Sequence, residues 1–133
     1  MADTYNNIGL VYQEKGDLEN ALLQHQRALE IRTRVFGSEQ PLVADSYQNM
    51  ANVYCSQGRH EEALVQHEKA LEIRTRVFGS EHVSVAATYN NIGVVYRNKG
   101  DLENALLQYQ KALEIRTRVF SQAHRTWRTR SII

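Results

Sequence analysis

Hydrophobic side chains recur along most of the chain at steps of three and four residues, the spacing of one face of an α-helix. The first stripe consists of Tyr5, Ile8, Gly9 and Tyr12. A second and broader stripe consists of Leu18, Ala21, Leu22, His25, Ala28, Leu29 and Ile31. These stripes predict two amphipathic helices packed on each other, because small residues such as Gly9 and Ala21 let two helix backbones approach closely.

The same pattern occurs three times, with a period of 42 residues that runs from Tyr12 to Tyr54 to Tyr96. Segments 4–36 and 88–120 differ at only five positions, and segment 46–78 keeps the same frame with more changes. The sequence therefore divides into an N-terminally shortened repeat 1 (1–40), repeat 2 (41–82), repeat 3 (83–120) and a tail (121–133).

Each repeat is predicted to hold two helices. The first helices are expected at Asp3–Lys15, Pro41–Gln57 and Val83–Lys99, and the second helices are expected to end near Val35, Val77 and Val119. A glycine follows each first helix, where positive φ can close it, and Asp17 and Asp101 suit the N-caps of the next helices. Gly-Ser pairs stop the second helices, and Ser38 or Ser80 can help to start the next repeat.

These residues match the spacing of the tetratricopeptide pattern W-x2-L-G-x2-Y, A-x3-F and A, with aromatic and aliphatic substitutions. The matching positions in repeat 1 are Tyr5, Ile8, Gly9, Tyr12, Ala21, His25 and Ala28, and both later repeats have counterparts. The chain thus resembles tetratricopeptide-like repeat proteins, and the run ALEIRTRVFGSEH is similar to the 42-residue repeats of kinesin light chains. The resemblance implies an all-α fold, a right-handed helical solenoid of antiparallel helix pairs that holds peptide segments of partner proteins.

In arrays of this kind the first helices line the concave surface, so their unpacked positions are the candidate peptide-binding residues. These are Asn6, Asn7, Leu10, Gln13, Gln48, Asn49, Asn52, Cys55, Asn90, Asn91, Val94 and Arg97. Amide side chains supply both donors and acceptors for an extended peptide backbone. An alternative is that Asn7, Asn49 and Asn91 bond only the neighbouring helix. The basic clamp that some relatives use for C-terminal carboxylates is not expected, because Asn6 and Leu10 replace its lysines.

The sequence gives little indication of catalysis or of metal or phosphate binding. His25 and His67 occupy the aromatic packing position that Tyr109 fills in repeat 3, which predicts core or boundary residues. His60 and His67 lie too far apart on one helix to share a metal without a third ligand. Cys55 has no neighbouring base, and no phosphate-binding loop is present. We expect no enzyme activity, no metal and no cofactor.

Charge and composition limit the partners. The net charge of +1 gives no general attraction for nucleic acid, and no apolar run is long enough to span a membrane. A single cysteine fits a reducing compartment, so a cytoplasmic location is expected. The tail contains Arg125, Arg128 and Arg130, and its Trp127 aligns with Val43 and Val85. We expect a loose end or a capping helix in which Trp127 shields the last repeat.

Two functions follow from this organisation. The first is a non-catalytic protein–protein interaction scaffold that binds partner peptides in the concave groove. The second is a structural repeat that self-associates end to end, or by domain swapping, with no dedicated ligand. This alternative arises because the outer faces nearly copy the inner ones, whereas terminal repeats normally carry a polar outer face.

Overall fold

The computed structural model describes residues 1–132, with side chains through Trp127. Within that part of the chain there are six helices and no strands. They are α1 (Ala2–Glu14), α2 (Leu18–Phe36), α3 (Pro41–Ser56), α4 (His60–Phe78), α5 (Val83–Lys99) and α6 (Leu102–Ile132). The predicted all-α class is confirmed, and the predicted bounds of the three first helices agree with α1, α3 and α5 to within one residue.

The turns inside each helix pair form as their residue types predict. Gly16 and Gly100 have φ values of 81° and 91°, which side chains with a Cβ rarely adopt. Asp17 Oδ1 accepts a hydrogen bond from the Asn20 amide at 3.3 Å and thereby caps α2. Hydrogen bonds from Asn104 also hold the pKa of Asp101 below its usual value. Short local signals are thus sufficient to place these helix ends.

The loops between repeats depart from the prediction at both junctions. Ser38 does not cap α3, whose N-cap is Gln40 and has no side-chain hydrogen bond. Ser80 does not cap the helix that follows it, because the N-cap of α5 is His82. The His82 Nδ1 atom accepts a hydrogen bond from the Ser84 amide at 3.0 Å. The imidazole therefore satisfies one of the unpaired amides of the first turn, a role for which serine was expected.

The predicted end of the last helix near Val119 is wrong, since α6 continues to Ile132. In the earlier repeats the second helix ends at Gly37 and Gly79, whose φ values are 85° and 87°. Ser121 stands at the corresponding position of repeat 3, so no residue with positive φ stops the helix. The helix extends because its expected stop signal is missing.

The expectation that Trp127 shields the last repeat is also wrong. Val43 and Val85, with which it aligns, are buried, whereas Trp127 is 64% exposed. A helix that continues in one direction cannot fold back over the face it leaves. The side chains of Arg128 and Arg130, which belong to the predicted basic tail, lie outside the described residues.

The chain forms two compact units, Met1–Val77 (unit 1) and Phe78–Ile133 (unit 2). The core of unit 1 contains Val43, Ala44, Ala70 and Ile73, against which Leu29 and Tyr47 pack. Residues buried in unit 2 include Val85, Ala86, Ile92, Val95, Ala105, Ala112 and Ile115. The repeat bounds at 40 and 82 stay a prediction from the sequence period.

The predicted core position of the two histidines is confirmed, because His25 and His67 are almost fully buried. Their helices approach closely: a Cβ added at Gly9 would lie 2.8 Å from the His25 ring. Burial, and secondarily the charge of Arg74, lowers the pKa of His67 to about 4. Burial and Arg32 lower the pKa of His25 in the same way. Both imidazoles therefore pack as neutral rings.

Candidate functional site

The predicted peptide-binding residues all lie on α1, α3 and α5, and each of them is at least partly exposed. Leu10 is exposed, and so are Asn52 and Val94, the residues at the same position of repeats 2 and 3. This is the one candidate position at which the side chain is exposed in every repeat.

Two of the predicted residues bond each other instead of facing solvent freely. The Asn49 Nδ2 atom donates to Asn6 Oδ1 at 2.6 Å and so joins α3 to α1. This is the role that the alternative interpretation assigned to Asn49. Asn6 and Asn49 therefore help to fix the contact between repeats 1 and 2, and their part in peptide binding stays a prediction.

Gln48 has a buried partner. Its Oε1 atom accepts a hydrogen bond from Arg74 Nη1 at 2.6 Å, and Arg74 Nη2 also contacts Asp45 Oδ1 at 2.9 Å. Arg74 is 7% exposed, so these contacts compensate for the removal of a guanidinium from water. Gln48 thus stabilises a buried charge, and its part in peptide binding stays a prediction.

Repeat 1 contains the corresponding arginine in a related environment. The Arg32 guanidinium donates to Ser46 Oγ at 2.8 Å, to the Leu42 carbonyl oxygen at 3.2 Å and to Asp3 Oδ1 at 3.2 Å. Ser46 and Leu42 belong to the next repeat, so Arg32 links repeats 1 and 2. Sequence reasoning missed these arginines, although Arg32 and Arg74 share the 42-residue spacing with Asp3 and Asp45.

The remaining predicted residues of unit 1 lie in different surroundings. Asn7 lines an apolar groove on the outer surface of α1, together with Ile8 and Val11. Gln13 and Cys55 are partly buried, and burial raises the pKa of the Cys55 thiol. A thiol with a raised pKa is poorly nucleophilic, which agrees with a packing role for Cys55.

In unit 2 the predicted residues are all on α5. Asn90 and Asn91 are partly exposed, whereas Val94 and Arg97 are exposed. Arg97 therefore presents a cation on the same helix as two amide side chains, and these groups suit a carboxylate and peptide groups.

The tetratricopeptide repeat family matches residues 1–74 and 47–118, two overlapping segments that include all three repeats. The chain belongs to this family. Repeats of this kind generally mediate protein–protein interaction and are typically non-catalytic scaffolds. A comparison with curated proteins gives no match.

Several solved structures are similar to this chain. BtubC (BKLC) from P. vanneervenii is 28% identical with a TM-score of 0.80, over 88% of this chain and 46% of that one. A kinesin-light-chain-type protein of Podosopora anserina with nearly identical TPR-like repeats is 21% identical, with a TM-score of 0.75 and coverages of 88% and 56%. MamA is 26% identical, with a TM-score of 0.69 and coverages of 91% and 61%. The predicted resemblance to kinesin light chain repeats is confirmed, and the chain spans about half the length of these relatives.

None of the helices within the described residues is long and apolar enough to cross a bilayer.

Proposed function

We propose that this protein is a non-catalytic scaffold that binds extended peptide segments of partner proteins along its first helices. The observation that carries the proposal is that the uncharged side chains Leu10, Asn52 and Val94, which stand at equivalent positions of the three repeats, are all exposed. Each lies on a helix that also carries amide side chains, and an extended peptide needs donors and acceptors at regular intervals along its backbone.

The chemistry of these side chains favours a peptide of low charge that carries an acidic residue. Leu10 of repeat 1 and Val94 of repeat 3 offer apolar contacts, and Asn52 of repeat 2 offers an amide. Arg97 is the only charged residue among the twelve predicted site residues, and a guanidinium pairs well with a carboxylate. The partly buried thiol of Cys55 supports a reducing compartment, such as the cytoplasm, as the place of binding.

Selection from a randomised peptide library tests this proposal. Peptides retained by the unaltered protein should bind Asn52→Ala and Arg97→Ala at least ten-fold more weakly, since each loses about 1.4 kcal/mol or more of polar contact. Gln26→Ala is the matched control, because Gln26 is an exposed amide on α2 and belongs to no predicted site. If the site variants bind the peptides as tightly as this control does, the assignment of the site is wrong. A library that yields no retained peptide would contradict the function itself.

A second candidate function is end-to-end self-association, and a specific observation favours it. Ile8 and Val11 on α1 are exposed, whereas their counterparts Met50 and Val53 in repeat 2 are buried. Unit 2 has a corresponding exposed surface on α6, which includes Leu106 and Leu113. Apolar positions that repeat 2 buries, such as Met50, Val53 and Leu64, are thus exposed on α1 and α6.

A further inference from the structure

The contact between repeats 1 and 2 in unit 1 shows which residues join one repeat to the next. Three pairs contribute to it: Arg32 Nη1 donates to Ser46 Oγ at 2.8 Å, Asn49 Nδ2 donates to Asn6 Oδ1 at 2.6 Å, and Leu29 lines the same groove as Tyr47. In each pair one member belongs to repeat 1 and the other to repeat 2. The pairs therefore define the register of a repeat-to-repeat interface.

The residues of repeat 1 that form this interface recur 84 positions later in repeat 3. Arg32 corresponds to Arg116, Asn6 to Asn90 and Leu29 to Leu113, with no change of residue type. Their surroundings differ, however. Arg32 is 4% exposed, whereas Arg116 is exposed, and Leu113 is 65% exposed. The α5–α6 surface thus keeps the residue types of the interface and leaves Arg116 and Leu113 exposed.

The residues of repeat 2 that complete the interface recur 42 positions earlier, on α1. Ser46 corresponds to Thr4, Tyr47 to Tyr5 and Asn49 to Asn7, so the hydroxyl, the aromatic ring and the amide are all retained. An apolar residue on the same helix is also exposed in repeat 1 and buried in repeat 2. Val11 is 54% exposed, whereas its counterpart Val53 is fully buried. The outer surface of α1 is therefore complementary to the surface that α5 and α6 leave open.

We propose that a second copy of this chain docks its α1 surface on the α5–α6 surface of the first and continues the 42-residue register across the junction. Arg116 then donates to Thr4 of the second copy, Asn7 of that copy donates to Asn90, and Leu113 packs beside Tyr5. The net charge of +1 on each chain produces little long-range repulsion between copies.

The two docking surfaces are different, so the contact is head to tail. Each copy uses its α1 surface once and its α5–α6 surface once, and the product grows into an open chain unless the geometry closes it into a ring. This inference rests on the second candidate function and specifies its interface. It makes no use of Leu10, Asn52 or Arg97, on which the test of peptide binding depends.

Sedimentation equilibrium with two charge substitutions tests the interface. The unaltered protein should show an average mass that rises with concentration above the 15.3 kDa of one chain. Val11→Glu damages only the α1 surface and Leu113→Glu damages only the α5–α6 surface, so each variant alone should stay at the mass of one chain. Both residues are exposed in the single chain, and unchanged far-UV circular dichroism should confirm that both variants fold.

A mixture of the two variants gives the most specific result. Val11→Glu keeps an intact α5–α6 surface and Leu113→Glu keeps an intact α1 surface, so an equimolar mixture should form pairs of chains and nothing larger. Leu107→Glu is the matched control, because Leu107 and its counterparts Leu23 and Val65 are exposed in every repeat. This control should associate as the unaltered protein does.

Three results would overturn the proposal: a single-chain mass for the unaltered protein at millimolar concentration, a mixture that remains monomeric, or a control that dissociates as completely as Leu113→Glu. Peptide binding is measured on other residues and at dilutions where single chains prevail. Failure of the docking proposal therefore leaves the peptide test unaffected, and failure of the peptide test leaves the docking result unaffected.

Discussion

Acidification should destabilise unit 1 through His67, a fully buried imidazole whose pKa is lowered to about 4 from 6.5. The largest cause is the removal of the ring from water, and the charge of Arg74 adds to it. The folded protein therefore disfavours the protonated ring, whereas the unfolded chain accepts a proton at about pH 6.5. Stability should be lost as the pH falls below 6.5, and the loss should level off below the folded pKa.

The size of this loss follows from the difference of the two pKa values. A pKa difference of one unit corresponds to about 1.4 kcal/mol in the free energy of unfolding, so the shift of His67 from 6.5 to about 4 corresponds to about 3 kcal/mol. Most of this stability is lost by about pH 4.5. His25 should add to the loss, because burial also lowers its pKa. A domain of this size is typically stable by only about 5–15 kcal/mol, so the change is large enough to measure.

Urea denaturation followed by circular dichroism at neutral pH and at about pH 4.5 measures the effect. His67→Phe is the informative variant, because an aromatic ring without a titrating group suits a position that Tyr109 fills in repeat 3. The free energy of unfolding should fall by about 2–3 kcal/mol less in this variant than in the unaltered protein. Comparing the change with pH within each protein removes any packing cost of the substitution. Equal losses in the two proteins would refute the assignment to His67.

Three further changes should have measurable effects. Arg32→Ala should lower the free energy of unfolding by about 1–3 kcal/mol, because three hydrogen bonds of a buried guanidinium are lost, and exposed Arg34→Ala should change it little in the same urea titration. Gly93→Ala should destabilise by about 1–3 kcal/mol in thermal unfolding, because the new Cβ would lie 2.9 Å from the Tyr109 ring; a gain in stability would contradict this packing. Ser121→Gly should increase amide exchange beyond residue 121 by restoring a helix stop, and unchanged exchange would show that α6 does not depend on this position.

Several features of the candidate site could be predicted from the sequence because they depend on the face of one helix. The spacing of apolar residues places Leu10, Asn52 and Val94 away from the packed face, and all three are exposed. The bonding partners could not be predicted in the same way. Gln48 bonds Arg74 and Asn49 bonds Asn6, across distances of 26 and 43 residues in the sequence. Such partners depend on how neighbouring helices are positioned, which no local pattern encodes.

The sequence by itself determined the three repeats, the helix pairs and the ends of most helices. These follow from periodicity and from short signals such as Gly16 and Asp17, which act within a few residues and need no tertiary context. It also determined the aromatic core position of His67, because the repeats align without gaps.

Only the tertiary structure decided how equivalent residues differ. Leu64 on α4 is 6% exposed, whereas its counterpart Leu106 on α6 is 60% exposed, although both are leucines at the same position of the repeat. Periodicity assigns the two residues the same helix face, but burial depends on whether another element covers that face. The surface left open on α6 is therefore a property of the fold, and it is the surface on which the proposed docking of a second copy depends.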